Sequence, residues 1–448
     1  MSADPYSTAA ALHADYVARR LTPSDVNEAQ LTRIAERNPR LNAYVRVDAV
    51  GSRAAAHAST ERYQRGAHFG ALDGVPVAIK DNIAVAGLPR PGAVAAYENN
   101  TAPADAPIVD KFRKAGAVIV GMTNMDEAAF GSTTESPLYG RCYNPLKRDH
   151  TPGGSSGGSG AAVAAGLCAI ALGTDTLGSV RIPASYCGIV GFKPSHGAID
   201  VDGVLALSPT LDHVGVLART VRDATSAFHA IADRALAWKN VAEVDSRFDD
   251  GLTLGVLDVS DATAPDVTRS FKTITTLLEK ADIKLVTIER DSFDLGRARK
   301  AGLLITEAEA ALTHEAALKD NPKGFSPLFR DAMAYAQRQP ALRIARAYEA
   351  MEDARRWAAK QFARCHAILS PTTPHKAFRF DSDAPPNAAH ITSFANLAGI
   401  PALALPVADG DALPMSIQLA APFGQDDWLL ALGEHIANLL PAPSLERV

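Results

Sequence analysis

The sequence predicts an α/β fold, with strands and helices alternating through one layered core. Three observations carry this. Short apolar runs suited to strands recur along the chain, near residues 75–79, 117–120, 253–257 and 402–407. Segments of helical length and composition separate them. No linker-like stretch divides the 448 residues, and no repeat of about 20–50 residues is present. Length alone allows about two or three domains, but this continuity favours one. Residues 1–65 are expected to form a helical layer of the same domain as residues 66–445.

Residues 1–65 read as helical. Leu21-Thr22-Pro23-Ser24-Asp25 resembles a helix start, and Leu31, Ile34 and Leu41 follow at loosely helical spacing. This segment is expected to pack rather than to act. From Gly74 the texture changes. Val75, Val77 and Ile79 alternate as in a strand that runs into Lys80-Asp81-Asn82. Residues 104–114 suit a helix and 117–120 a buried strand. Residues 131–160 are rich in Gly, Ser, Thr and Pro and are expected to be mostly loop. Residues 161–166 then read as a helix of small residues and 170–173 as a short strand. Residues 221–233 suit a helix. Strands are expected at 253–257 and 284–288, with a helix between them. Residues 294–365 read as mostly helical, with breaks at Asn321-Pro322 and Gln339-Pro340. Strands at 367–369, 402–407 and 415–419 and a helix at 427–439 complete the pattern.

Composition narrows the function classes. The chain is 47% apolar, enough for a large core, and its net charge is −5. That balance lacks the basic footprint of a nucleic-acid binder. Cys142, Cys168, Cys187 and Cys365 are scattered, with no C-x-x-C pair. A disulfide framework and a zinc site are therefore not expected, and reduced, packed thiols fit a cytoplasmic protein. The first residues lack the basic and apolar regions of a signal peptide. The longest low-polarity stretch, residues 161–172, is too short to span a bilayer.

The chemistry concentrates in residues 151–194, TPGGSSGGSGAAVAAGLCAIALGTDTLGSVRIPASYCGIVGFKP. Gly and Ser fill eight of the first ten places, a composition shared with flexible linkers. A compact apolar segment follows at once, which linkers seldom show. A phosphate-binding loop is a second option, but G-x-x-x-x-G-K-[ST] is absent. A catalytic backbone cradle is the third. Ser155 and Ser156 sit among glycines, where unusual turns are accessible. Ser179 follows the tight segment Thr174-Asp175-Thr176-Leu177-Gly178, whose N–H groups could converge on an oxyanion. No G-x-S-x-G elbow surrounds Ser179, which counts against an α/β-hydrolase. A nucleophilic Ser needs a base. His196 and His213 lie downstream without a distinctive local signature. Lys80 ends an apolar strand, where it either pairs with a carboxylate or, desolvated, serves as a neutral base.

Taken together, GVPVAIKDN, GGSSGGSGAAVAAG and GTDTLGSVRIPASYCGIVGFKP closely resemble the amidase-signature family. The spacing from Ser155 to Ser179 matches that between the family's two catalytic serines. GMTNMDEAAFGSTTE (121–135), SPTLDHVGVLARTVRDA (208–224) and NLAGIPALALPV (396–407) extend the resemblance to roughly residues 20–440, weakest across 235–365.

The resemblance implies an α/β/α layered fold with a large mixed sheet covered by helices. It implies Lys80 as base, Ser155 as proton relay preceded by a cis peptide bond, and Ser179 as acylated nucleophile. Thr176, Leu177, Gly178 and Ser179 would form the oxyanion hole. Asp175 and Arg181 would brace that loop through a mutual ion pair. Asn124, Ala129, Phe130 and Gly131, with Ser155, would line the substrate channel, whereas Asp126, Glu127 and Glu135 would be structural. No cofactor and no metal are implied. The partner would be a small-molecule amide, with no nucleic acid and no membrane, in a homodimer. One departure stands out. The commonest family form has D-T-G-G-S, and this chain has D-T-L-G-S, which marks Leu177 as a candidate determinant of acyl specificity. Competing expectations are a glutamine-hydrolysing A-type subunit of a tRNA-dependent amidotransferase, a ureido or carbamate hydrolase, and a non-catalytic binder on the same scaffold. The absence of an appended domain favours the hydrolase.

Overall fold

The computed structural model describes residues 4–233, 251–408, 410 and 413–445. In chain order the strands are β1 (Tyr44–Val47), β2 (Pro76–Lys80), β3 (Val118–Thr123), β4 (Glu135–Ser136), β5 (Gly140–Arg141), β6 (Ile170–Asp175), β7 (Val190–Lys193), β8 (His213–Ala218), β9 (Thr253–Leu257), β10 (Lys284–Ile288), β11 (Ala367–Pro371), β12 (Ala402–Val407) and β13 (Met415–Ala420). The short β4–β5 hairpin stands apart. The other strands form one 11-stranded mixed sheet in the order β1-β3-β2-β6-β8-β7-β12-β13-β11-β9-β10. Strands β3, β2 and β6 run parallel, as do β10, β9 and β11. An antiparallel block from β8 to β13 joins the two groups.

The helices are α1 (Ala9–Val17), α2 (Pro23–Leu41), α3 (Ala49–Gln64), α4 (Pro107–Lys114), α5 (Gly157–Ala164), α6 (Arg181–Cys187), α7 (Val221–Ile231), α8 (Pro265–Lys280), α9 (Leu295–Thr313), α10 (Glu315–Asp320), α11 (Pro327–Gln337), α12 (Ala341–Phe362), α13 (Ser393–Leu397) and α14 (Asp426–Leu439). Side-chain alternation along the strands explains the layering. Val77, Ile79, Ile170, Leu172, Val214 and Val216 point into one apolar cluster with residues of α1, α4, α7 and α14. The intervening Ala78, Ala171 and Leu217 point into another with α2 and α5. A third cluster, on α9, α12 and α13, covers the far end. Strands buried on both faces read as near-continuous apolar runs, which is why residues 75–79 and 402–407 are legible as strands.

Several elements differ from the sequence expectation. Residues 44–47 form edge strand β1 inside the segment expected to be helical. β1 pairs with β3 and so ties the N-terminal segment into the sheet. α5 begins at Gly157 rather than within the alanine run. Its glycines serve packing: a Cβ on Gly158 would lie 2.4 Å from the backbone N and O of Asn124. Ser159 Oγ lies 2.7 Å from Thr123 Oγ1 and donates to the Leu172 carbonyl at 2.9 Å. A wholly buried helix of small residues is thereby held against Ala78 and Ala171. Strands β7 and β8 and helix α6 also arise where the sequence pattern specifies no element. All four cysteines are buried and free. Among the described residues, no helix is long and apolar enough to cross a membrane.

Candidate active site

β2 and β6 are parallel neighbours, and their carboxyl ends face the same crevice, the usual ligand position in such sheets. Lys80 closes β2, and Thr174 lies one residue before the end of β6. Lys80 Nζ lies 2.8 Å from Ser155 Oγ and donates to Thr174 Oγ1 at 2.7 Å. Among the described residues, no carboxylate pairs with it, so the ion-pair alternative does not hold. Complete burial lowers its pKa from 10.5 to about 7, although the charges of Asp126, Asp212 and Asp175 oppose the shift. At neutral pH a large fraction of Lys80 is therefore the free amine.

The Gly154–Ser155 peptide bond is cis. Ser155 and Ser156 are then distinguished by their partners. Ser156 Oγ is held between the N–H and C=O of Thr174, at 3.2 and 3.1 Å, while Ser155 Oγ faces Lys80. The Ser156 N–H donates to the Ser179 carbonyl at 3.2 Å, which joins the Gly/Ser turn to the loop carrying Ser179.

That loop is braced from beneath. Asp175 receives Arg181 Nε and Nη2 at 3.0 and 2.9 Å and the Val180 N–H at 3.1 Å. Both partners are fully buried. Burial pushes the Asp175 carboxyl up, but the Arg181 charge and its hydrogen bonds prevail and hold it well below the usual carboxylate range. Arg181 also donates to the Thr392 carbonyl, Gln418 Oε1 and Asn396 Oδ1. The Thr176 hydroxyl donates to Asp212 at 2.6 Å, and the Leu177 carbonyl accepts from the Thr392 hydroxyl at 2.6 Å. Gly178 has φ +137°, and a Cβ there would meet Thr392 Oγ1 at 2.2 Å. Among the described residues, the N–H groups of Thr176, Leu177, Gly178 and Ser179 find no acceptor. Consecutive free donors beside a serine are able to hold developing negative charge.

Ser179, Thr176 and Leu177 line a cavity of about 300 Å³ together with Ala129, Phe130 and Gly131. Asn124 is not among its lining residues. The Asn124 amide instead donates to the Asn42 carbonyl at 3.1 Å and accepts the Met125 N–H at 2.8 Å. Asp126 is buried beside Gly131 and accepts the Glu135 N–H; Glu127 accepts from Ser326. His213 is buried, with Nδ1 2.7 Å from the Leu211 carbonyl, and His196 lines a different cavity. Neither borders the cavity of Ser179. Sequence reasoning missed Thr174, Asp212, Thr392, Asn396 and Gln418, and the cavity wall formed by Arg299, Leu303 and Thr306. Thr174, Asp212 and Asn396 lie inside the quoted family-like segments, which was the signal available. Among the described residues, no group of His, Cys, Asp and Glu side chains is arranged to hold a metal ion.

Comparison with known proteins agrees with this architecture. The A-type subunit of the glutamyl-tRNA(Gln) amidotransferase from Synechococcus sp. (strain RCC307) is 32% identical over 452 residues, covering 92% of this chain and 93% of the relative. A solved amidase structure superposes with TM-score 0.89 at 31% identity, covering 97% of this chain and 100% of that one. The peptide amidase of Stenotrophomonas maltophilia superposes with TM-score 0.84 at 28% identity, covering 98% and 99%. Fold and relatives together define a hydrolase of amide carbon–nitrogen bonds. The model of the amidase family matches residues 25–430, and the chain belongs to that family.

Proposed function

We propose that the chain is a stand-alone amidase that cleaves a small-molecule carboxamide to a carboxylate and ammonia or an amine. Ser179 is the nucleophile, Ser155 the relay and Lys80 the base. The observation that carries this is the desolvated Lys80 amine, 2.8 Å from Ser155 Oγ and without a carboxylate partner among the described residues.

The Ser179 hydroxyl passes its proton to Ser155 Oγ, and Ser155 passes its own to Lys80 Nζ. The Ser179 Oγ–carbon bond forms as the carbonyl becomes an oxyanion held by the N–H groups of residues 176–179. Collapse breaks the carbon–nitrogen bond, and the proton on Lys80 returns through Ser155 to the leaving nitrogen. Water then attacks the acyl-enzyme, delivers a proton along the same route and restores Ser179. Each oxyanion donor in such a site contributes about 3 kcal/mol. The Asp175–Arg181 pair acts by holding those donors in place. The expected lining by Asn124 is left out of this proposal, because its amide is committed elsewhere.

A second reading, a glutamine-hydrolysing component of a tRNA-dependent amidotransferase, is favoured by the 32% identical relative, which belongs to such an enzyme. Purified chain should react with a fluorophosphonate at Ser179 and release ammonia from a panel of small amides without added proteins. Ser179→Ala should lose labelling and at least about a thousandfold of turnover. Labelling that survives Ser179→Ala defeats the assignment. Turnover confined to glutamine in the presence of partner chains selects the second reading.

A further inference from the structure

Helix α9 supplies one wall of the cavity that holds Ser179. Arg299, Leu303 and Thr306 all line it, and their spacing of four and three residues places them on one helix face. Arg299 is the one charged side chain among the residues lining this cavity. Its Nε is buried with no hydrogen-bond partner, and Thr306 Oγ1 is in the same condition. Burial lowers the guanidinium pKa, with no carboxylate offsetting the effect. Leu177, Ile182, Leu207 and Leu303 make the adjoining walls apolar.

A partly desolvated guanidinium without a counter-charge is a standing cost, since buried charges are ordinarily paired. Arg181 is paired with Asp175, and Arg62 with Asp73 at 2.9 Å through Nε, whereas Arg90 and Arg219, which have no carboxylate partner among the described residues, donate to backbone carbonyls. Arg299 has neither kind of partner among the described residues, and it borders the cavity where substrate must lie. A planar guanidinium matches a carboxylate in charge and in fork geometry.

We propose that the substrates are amides that carry a carboxylate, and that Arg299 binds this carboxylate while an apolar spacer lies along Leu177 and Leu303 toward Ser179. This rests on Ser179 being the point of cleavage. Arg299 is then a specificity-determining residue. The Thr306 hydroxyl, roughly 10 Å further along the helix, offers a second polar contact to the bound amide.

The test reads binding apart from turnover. Ser179→Ala protein is titrated by calorimetry with adipamate and suberamate, and with hexanamide and octanamide, the neutral amides of matching length. At least one carboxylate should bind about tenfold or more tighter than its neutral partner. Adding Arg299→Met should bring the ratio to near one, and Arg299→Lys should restore part of it. With Ser179 intact, the same preference should appear chiefly in KM. Equal affinities in the Arg299 protein, no detectable binding of either carboxylate, or a preference that survives Arg299→Met would each overturn the proposal. Arg299→Gln, with circular dichroism as the fold control, replaces the Met variant should that one fail to fold. Loss of the Ser179 labelling result would defeat the catalytic assignment and leave the binding result standing.

Discussion

In the proposed mechanism Lys80 owes its reactivity to where its strand ends. The apolar run before it carries the side chain inward, and burial then disfavours the ammonium. Its pKa of about 7 is a balance, since Asp126, Asp212 and Asp175 each raise it while desolvation lowers it further. The proposed mechanism needs the free amine, so kcat/KM should rise with pH through about 7 and level off above it. Asp126 is itself raised by burial to about 6, so it is anionic where Lys80 titrates. Asp126→Asn removes that attraction and should move the acid limb to lower pH. A pH–rate profile at low substrate concentration checks both. A limb unmoved by Asp126→Asn would mean that another group sets it. Lys80→Met should abolish the limb with the activity.

At the scale of elements, the loop after β6 and helix α9 are fitted to each other through Leu177 and Gly302. A Cβ on Gly302 would lie 2.8 Å from Leu177 Cδ2, so the leucine tip occupies the space left by the glycine and would have to shift if a side chain stood there. Leu177→Gly should empty that space and enlarge the apolar wall beside Ser179. Bulky aryl amides should then gain on short aliphatic amides by about tenfold or more in kcat/KM. An unchanged ranking across a graded amide series sinks this role. The pair also marks where sequence stops being informative. The Asp175–Arg181 pair and the meeting of Lys80 with Ser155 were legible through short segments that resemble the family, while the local sequence around Lys80 left an ion pair equally open. β2 and β12 were legible because burial on both faces leaves continuous apolar runs. The second half of α5 was legible as a helix of small residues, but its first turn, residues 157–160, was read as loop because its glycines resemble a linker in composition, and only the approach of the Asn124 backbone reveals them as packing. Asn124 itself was expected at the substrate, and its hydrogen bonds to Asn42 and Met125 are invisible without the fold. Arg299 and Gly302 lie far along the chain from Ser179, in a segment without a motif, so nothing local connects them to the loop they face.

The whole molecule carries the cost of these buried groups, and that cost has a pH signature. Lys80 and Lys193 are fully buried, and desolvation lowers each from 10.5 to about 7. Among the described residues, Lys193 donates to the carbonyls of Pro194 and Ile400, at 2.9 and 2.7 Å. Between about 7 and 10.5 the unfolded chain binds protons at these lysines that the folded chain does not. Stability therefore rises with pH across that interval. Below about 7 both states are protonated and the penalty is present in full. Opposing groups bound the clean window. Asp81, Asp126 and Asp212 are raised to about 6 and Glu307 to about 7, so their stabilising proton uptake is lost by neutral pH. The buried thiols of Cys142, Cys168 and Cys187 are raised from 9.0 by desolvation, so they begin to lower stability only as the unfolded thiols ionise near that value. Between about pH 7 and 9.0 the lysines act with little opposition, and the thermal midpoint should climb. Lys80→Met removes one of the two contributions and should flatten the climb, leaving the share of Lys193. Differential scanning calorimetry across this window decides it. A climb as steep in the Lys80→Met protein as in the parent would show that Lys80 keeps an ordinary pKa, and the free-amine mechanism would fall with it.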